Sequence, residues 1–256
     1  LKDGEHSQEI TIKHLLSHTS GLPDYFEAGG AKTNAIKGDF YMSFEDKLTT
    51  TKKIYSNFAP GAVGKAHYSD MNFDLLGEII EKITETPLEK VYKDFIFEPL
   101  GLTKTYLVTD ENDFVPNIYY KDKPLHRPKA LMSYRASGGT VTTARETMLF
   151  LKGFLNGAVF PKSMFDTLAV YNQLSFPMSS MFYGVGYMKL PITPMISFMM
   201  GKGFKSKGEL IGHNGSTSCC AFYYPLKDLY IVCDCNQLAN PGLATRVAVR
   251  LALAGE

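Results

Sequence analysis

The chain has 256 residues, 45% of them apolar and 21% charged, a globular balance that excludes wholesale disorder and allows one large domain or two small ones. With 27 basic and 26 acidic side chains the formal net charge is +1, so the overall charge steers the protein toward neither nucleic acid nor an anionic membrane. The longest apolar runs are a few residues, against the roughly 20 needed to span a bilayer. No signal-peptide pattern opens the sequence, and its first residue, Leu1, reads as a processed, truncated or engineered start.

In chain order, residues 1–9 are polar and read as a loop. Ile10 to His18 read as a short helix, stopped by Gly21, Leu22 and Pro23 in the glycine-then-proline order that ends helices. Residues 24–66 are mixed, with breaks at Gly29-Gly30, Gly38, Pro60-Gly61 and Gly64. Phe73, Leu76, Ile80 and Ile83 repeat with helical spacing and predict a helix with that stripe inward. Thr86, Pro87 and Glu89 offer an N-cap, a proline at the first helical position and a capping-box acid. They open a second helix with Leu88, Val91, Tyr92, Phe95 and Ile96 on its apolar face. Thr143-Ala144-Arg145-Glu146 is another capping box, for a helix that buries Met148, Leu151, Phe154 and Leu155 and ends near Gly157. A further short helix is expected from Pro161.

Ala221–Tyr224 and Leu229–Cys235 are β-rich runs around Pro225-Leu226-Lys227-Asp228. They predict a hairpin pairing Tyr224 with Leu229, Phe222 with Ile231 and Cys220 with Cys233. Leu243 to Ala254 reads as a C-terminal helix. Central helices followed by an antiparallel hairpin and a helix indicate an α+β fold rather than a doubly wound sheet. The expected organisation is one domain over 1–256, mostly helical from about 24 to 205, with the hairpin and last helix in 206–256.

Cys219, Cys220, Cys233 and Cys235 fall within 17 residues without a CxxC pair, so the spacing fits neither a zinc ribbon nor a thioredoxin motif. Buried apolar thiols, a cross-strand disulfide and a metal site all stay open, and with them the redox compartment. GxSxG, HExxH, P-loop and GxGxxG patterns are absent, so nucleotide and zinc-protease chemistry lose their best evidence. No cofactor or metal is expected. His14 and His18 have the spacing of a chelating pair, or of capping and packing residues. His67 reads as a partly exposed turn residue. Six of the 11 methionines lie between Met178 and Met200, suited to core or lid packing, an acyl pocket or a membrane contact. Lys202, Lys205 and Lys207 read as solvated rather than as a phosphate site.

Five segments stand out together: Ile10-Thr11-Ile12-Lys13-His14-Leu15-Leu16-Ser17-His18-Thr19-Ser20-Gly21; Pro60-Gly61 followed by Tyr68-Ser69-Asp70 and Leu75-Leu76-Gly77; Phe97-Glu98-Pro99-Leu100-Gly101-Leu102; Ser137-Gly138-Gly139 with Thr142-Thr143-Ala144; and Gly212-His213-Asn214-Gly215. In this order the set resembles the serine β-lactamase and penicillin-binding-protein superfamily, in its class C-like branch with D,D-peptidases, carboxylesterases and D-aminopeptidases. The resemblance runs from about residue 8 to the end. It implies a β-lactamase/transpeptidase-like antiparallel sheet flanked by helices, and acyl transfer from esters, D-amino-acid peptides or β-lactams. In such a site a serine attacks the carbonyl, a lysine and a tyrosine move its proton, and two backbone N–H groups hold the oxyanion. A tyrosine serves as base near neutrality only where a cation lowers its pKa.

Carried onto this sequence, the resemblance implies that Tyr68 is the catalytic tyrosine and His213 a substrate or transition-state hydrogen-bond partner. Asp70 stands where asparagine is usual and, when ionised, accepts but does not donate. Asn214 and Gly215 fall in the strand motif beside the substrate, and the Ser216 N–H is an oxyanion donor. Tyr55-Ser56-Asn57 spells the tyrosine motif more faithfully, but it precedes Pro60-Gly61 whereas the motif follows that turn, which favours Tyr68.

No serine is followed by a lysine three positions later, so the family's S-x-x-K nucleophile motif has no counterpart in this chain. Its usual place, tens of residues before the segment opening at Ile10, precedes Leu1. The expectation is a hydrolase whose nucleophile lies in a missing N-terminal segment or a second chain, or else a non-catalytic member that binds a ligand or partner in the vacated cleft. Loss of the nucleophile helix implies exposed apolar surface or a cavity. Substrate and oligomeric state stay open. Family habit suggests a bacterial periplasmic or secreted protein, with no signal in the chain to decide the compartment.

Overall fold

Of the helices in the first 156 residues, those that follow Thr11, Ser43 and Thr143 start from side-chain caps. In the computed structural model, which describes residues 6–165 and 169–254, Thr11 Oγ1 accepts from the His14 N–H at 3.2 Å. The His14 ring accepts in turn from the Thr11 N–H at 3.3 Å, and this reciprocal box opens α1 (Ile12–Leu16). After α2 (Ala31–Lys37), Ser43 and Asp46 make the same arrangement for α3 (Phe44–Lys52). Then come α4 (Asp70–Thr84) and α5 (Leu88–Tyr92), which runs into a π-helical turn at Lys93–Phe97. α6 (Pro128–Gly138) and α7 (Ala144–Asn156) follow. Leu15, Leu22, Tyr25, Phe26, Leu48 and Met71 form the core beneath these helices. α4 and α6 pack closely because Gly77 lacks a side chain: a Cβ there would lie 2.7 Å from the Ala136 Cβ.

Two small strand pairs decorate this half, β1 (Tyr106–Leu107) with β4 (Thr140–Val141) and β2 (Ile118–Tyr120) with β3 (Lys123–Leu125). The main sheet is antiparallel and follows chain order: β5 (Asn172–Gln173), β6 (Phe182–Tyr183), β7 (Met188–Pro191), β8 (Glu209–Gly215), β9 (Cys219–Tyr224) and β10 (Leu229–Asp234). A short helix, α8 (Pro194–Met199), lies between β7 and β8, and α9 (Leu243–Ala252) closes the described chain. Ala244, Ala248, Val249 and Ala252 of α9 share a core with Phe222 and Ile231 of the sheet. On the other face, α7 and the sheet border an open cavity of about 240 Å³, lined by residues that include Leu155, Phe165, Tyr187, Tyr223 and Tyr230.

The α+β architecture and the hairpin follow the sequence reading, with Tyr224 opposite Leu229, Phe222 opposite Ile231 and Cys220 opposite Cys233. Several expectations need correction. The sheet does not begin at 206: β5 to β7, residues 172–191, belong to it, but as pairings of two to four residues interrupted by glycine and methionine they lack a strand signature. Ile83 is 74% exposed and Phe95 68%, so both apolar stripes run past the core they pack on. α4 instead buries Met71, Asn72, Asp74 and Gly77. The box at Thr86 does not form: the Thr86 hydroxyl donates to the Thr84 carbonyl at 2.9 Å, and Glu81 of α4 accepts the Leu88 N–H at 2.8 Å. At α7 only half the box forms. Thr143 caps the helix, while Glu146 turns away to accept the Thr103 and Lys104 N–H groups, each at 3.0 Å.

The first helix covers only Ile12–Leu16, so His18 lies beyond it and forms no chelating pair with the capping residue His14. All four cysteines are free thiols. Among the described residues no group of three or more His, Cys, Asp or Glu side chains is placed to hold a metal. The helix expected from Pro161 runs into residues 166–168, outside the described residues.

Candidate active site

The turn after α1 buries a histidine that organises the helical side of the site. His18 adopts φ +55° and is fully buried. Its Nδ1 accepts from the Ser69 N–H at 3.1 Å and from the Asn72 amide at 2.8 Å, so the ring proton sits on Nε2. Burial, with His213 and His67 adding repulsion, holds its pKa well below the usual histidine range, so the ring is neutral. It stacks on Tyr68 at 4.4 Å between centroids and meets Tyr183 edge-on at 4.3 Å. A neutral, oriented imidazole is thus the platform for the Tyr68 ring.

Tyr68 leads into α4. The Ser69 hydroxyl donates to the Pro23 carbonyl at 2.9 Å, which fixes the entry. The first N–H of α4, that of Asp70, donates to Asp24 Oδ1 at 3.1 Å. Burial first, and Asp70 second, push the Tyr68 pKa well above the ordinary phenol value, so Tyr68 carries its proton.

Asp70 belongs to a buried acidic group. Asp74 pairs with Lys47 at 2.9 Å, and both side chains are almost wholly buried. Lys47 also donates to the Ser133 carbonyl and lies 5.4 Å from the centre of the Tyr25 ring. Burial raises the pKa of Asp24, Asp70 and Asp74, and the neighbouring carboxylates push Asp70 further, well above the usual range. One ammonium faces three carboxyl groups, so each holds its proton more tightly than a free aspartate, Asp70 most of all.

The opposite wall is β8. The His213 Nδ1 lies 2.7 Å from the Asn214 carbonyl, which only accepts, so Nδ1 carries the proton. Nε2 therefore accepts from the Tyr183 hydroxyl at 2.9 Å. Burial lowers the His213 pKa and keeps this tautomer neutral. Tyr68 and His213 face each other with ring centroids 6.0 Å apart. The Asn214 side chain points to the other face of the strand, where its amide donates to Thr245 Oγ1 of α9 at 3.2 Å. Gly215 has a local reason to be glycine: a Cβ there would lie 2.6 Å from the Cys219 sulfur. Ser216 stands exposed in the turn that follows.

Of the residues singled out in the sequence, Tyr68 lies beside His213 and two residues before Asp70 at the entry to α4, Gly215 and Ser216 follow His213 at the end of β8, and the Asn214 side chain points away toward α9. Tyr55 of the competing motif is 93% exposed. Sequence reasoning missed Tyr183, Asp24, Asp74 and Lys47. Tyr183 had one available signal, an aromatic residue before the paired glycines Gly184 and Gly186 at a strand end. Nothing in the sequence marks Lys47 as buried.

A family model described as Beta-lactamase matches residues 1–256. A Bacillus subtilis (strain 168) protein named as a penicillin-binding protein is 27% identical over 192 residues, 72% of this chain and 44% of that protein. The chain thus spans less than half of this curated relative. Among solved structures, a D-stereospecific amidohydrolase from Streptomyces sp. superposes with a TM-score of 0.75 at 23% identity, over 99% of this chain and 75% of the other. A D-amino acid amidase from Ochrobactrum anthropi SV3, complexed with L-phenylalanine amide, superposes with a TM-score of 0.74 at 18% identity, over 100% and 75%. At these identities the two structures establish a shared fold.

Proposed function

The chain belongs to the beta-lactamase family of serine hydrolases, and we propose that it supplies the tyrosine-and-histidine half of an acyl-transfer site for amide, peptide or ester carbonyls. The serine and lysine of that site lie outside these 256 residues. The observation that carries this reading is the packing of Tyr68, from the entry to α4, beside the hydrogen-bonded Tyr183–His213 pair of the sheet.

The chemistry follows from the protonation states. A serine attacking a carbonyl must pass its proton to a base. Tyr68 holds a proton here, because burial, Asp70, Tyr183 and Asp24 all raise its pKa. It becomes a base when a cation is brought beside it, which is the part a lysine plays. A protonated Asp70 restores the donor that an asparagine amide offers at this position, so it is suited to bind a substrate carbonyl or orient the lysine. This reading assigns the Ser216 N–H, in the turn that follows β8, as one oxyanion donor. His213 spends both ring nitrogens inside the protein, so it acts on substrate through Tyr183 or after that hydrogen bond opens.

The test is hydrolysis of D-phenylalanine amide and a p-nitrophenyl ester by the polypeptide of the whole reading frame. Tyr68→Phe is expected to lower kcat/KM by about 100-fold or more, with Asp70→Asn far milder. An undiminished Tyr68→Phe enzyme contradicts the assignment. A second reading, ligand binding without turnover, is favoured by the protonated state of Tyr68. It predicts that the amide raises Tm without being hydrolysed.

A further inference from the structure

Residues 192–208 leave the main sheet between β7 and β8, and the proposed chemistry uses none of them. The base is anchored. The Ile192 N–H donates to the Gly208 carbonyl at 2.8 Å, the Lys207 N–H donates to the Ile192 carbonyl at 3.0 Å, and Ile192 and Ser197 are fully buried. Thr193 caps α8. The tip faces outward with apolar side chains: Met195 is 56% exposed, Phe198 61%, Met199 73% and Phe204 63%. Phe198 and Phe204 lie with ring centroids 5.8 Å apart. Leu226, also exposed, borders the base of the excursion at Gly208. Five large apolar side chains at one end of the molecule exceed the scattered exposure ordinary in a soluble surface.

The charge around this patch is one-sided. Within the excursion, residues 192–208, the sequence has three lysines, Lys202, Lys205 and Lys207, and no aspartate or glutamate, while Lys189 at its base is paired with Glu209 at 3.3 Å. Lys205 is exposed beside Phe204. The chain as a whole is nearly neutral, so this is local patterning rather than bulk charge. Apolar side chains ringed by lysines match a bilayer interface, where the former reach the acyl boundary and the latter meet anionic headgroups. A second copy of the same patch is a poorer occupant, since face-to-face association would bring lysines together with no acid from the segment to offset them.

We propose that the 192–208 excursion docks this protein on an anionic lipid surface. It rests on the interface without spanning it, since among the described residues no helix is long and apolar enough to cross a membrane. The proposal is independent of the hydrolytic reading.

Cosedimentation with phospholipid vesicles tests it. The protein is expected to bind vesicles containing about a third phosphatidylglycerol at least tenfold more tightly than phosphatidylcholine alone, and to lose that binding in high salt. Phe198→Ser combined with Phe204→Ser, and separately Met199→Glu and Lys205→Glu, should each weaken binding, the double variant by about tenfold or more. These side chains are exposed, so the variants should keep the wild-type Tm. Should one of them unfold, the other two and the wild-type lipid preference still decide the outcome. Failure to bind anionic vesicles, equal binding to neutral ones, or binding indifferent to the well-folded variants overturns the proposal. Concentration-dependent self-association that the double variant abolishes, without lipid binding, overturns it in favour of a second copy.

Discussion

At the scale of single residues, proton positions give this crevice its character. Burial and the neighbouring Asp24 and Asp74 raise the Asp70 pKa in the native state, so it releases its proton at a higher pH than in the unfolded chain, where the ordinary aspartate value is about 3.9. The native state therefore binds more protons than the unfolded state above that pH. Stability contributed by this group is complete below the unfolded value and falls as pH rises toward the raised folded value. Asp70→Asn removes the ionisation. Its Tm relative to wild type should rise steadily from about pH 4 to pH 8; a constant or shrinking difference contradicts the assignment. His18 runs the other way, since its lowered pKa costs stability as pH falls below about 6.5, but both proteins share that cost. Tyr183 makes a second prediction. Ring ¹⁵N shifts should show His213 as the Nδ1–H tautomer, and Tyr183→Phe should cost about 1 kcal/mol through the lost hydrogen bond. An Nε2–H tautomer in the wild type contradicts this reading.

At the scale of elements, the buried Lys47–Asp74 pair ties α3 to α4, and the Ser133 carbonyl adds α6 to the same ammonium. Lys47→Met leaves a buried carboxylate without its partner and should cost about 3–5 kcal/mol in chemical denaturation. Replacing Asp74 by Leu as well should recover much of that loss; a double variant as unstable as the sum of the singles contradicts the pairing. This pair also shows where sequence reading stops. Periodicity treats lysine and aspartate as outward residues, and only the tertiary structure places both inside. The β9–β10 hairpin was legible because two β-rich runs flank a short loop. The β5–β7 strands were not, because two-residue pairings carry no period. Caps were half legible: Thr143 names a helix start, while the destination of Glu146 depends on a loop some forty residues away in sequence. Within the site, Tyr68, Asp70 and His213 could be placed by motif order. Tyr183 and Asp24 matter through contacts that no spacing records.

At the scale of the whole molecule, the helical half supplies Tyr68 and Asp70, and the sheet supplies His213 and Tyr183 beside the Tyr68 ring. Both walls come from this chain, yet no serine–lysine pair of the S-x-x-K kind does. The central claim is therefore that the chain holds half of an acyl-transfer site. An intact-mass spectrum after treatment with a fluorophosphonate tests it most directly, on the 256-residue polypeptide and on the product of the whole reading frame. The account predicts an unmodified 28.5 kDa species for the first and a single serine adduct, outside these 256 residues, for the second. An adduct on a serine of the 256-residue chain, or no adduct on either polypeptide, contradicts it.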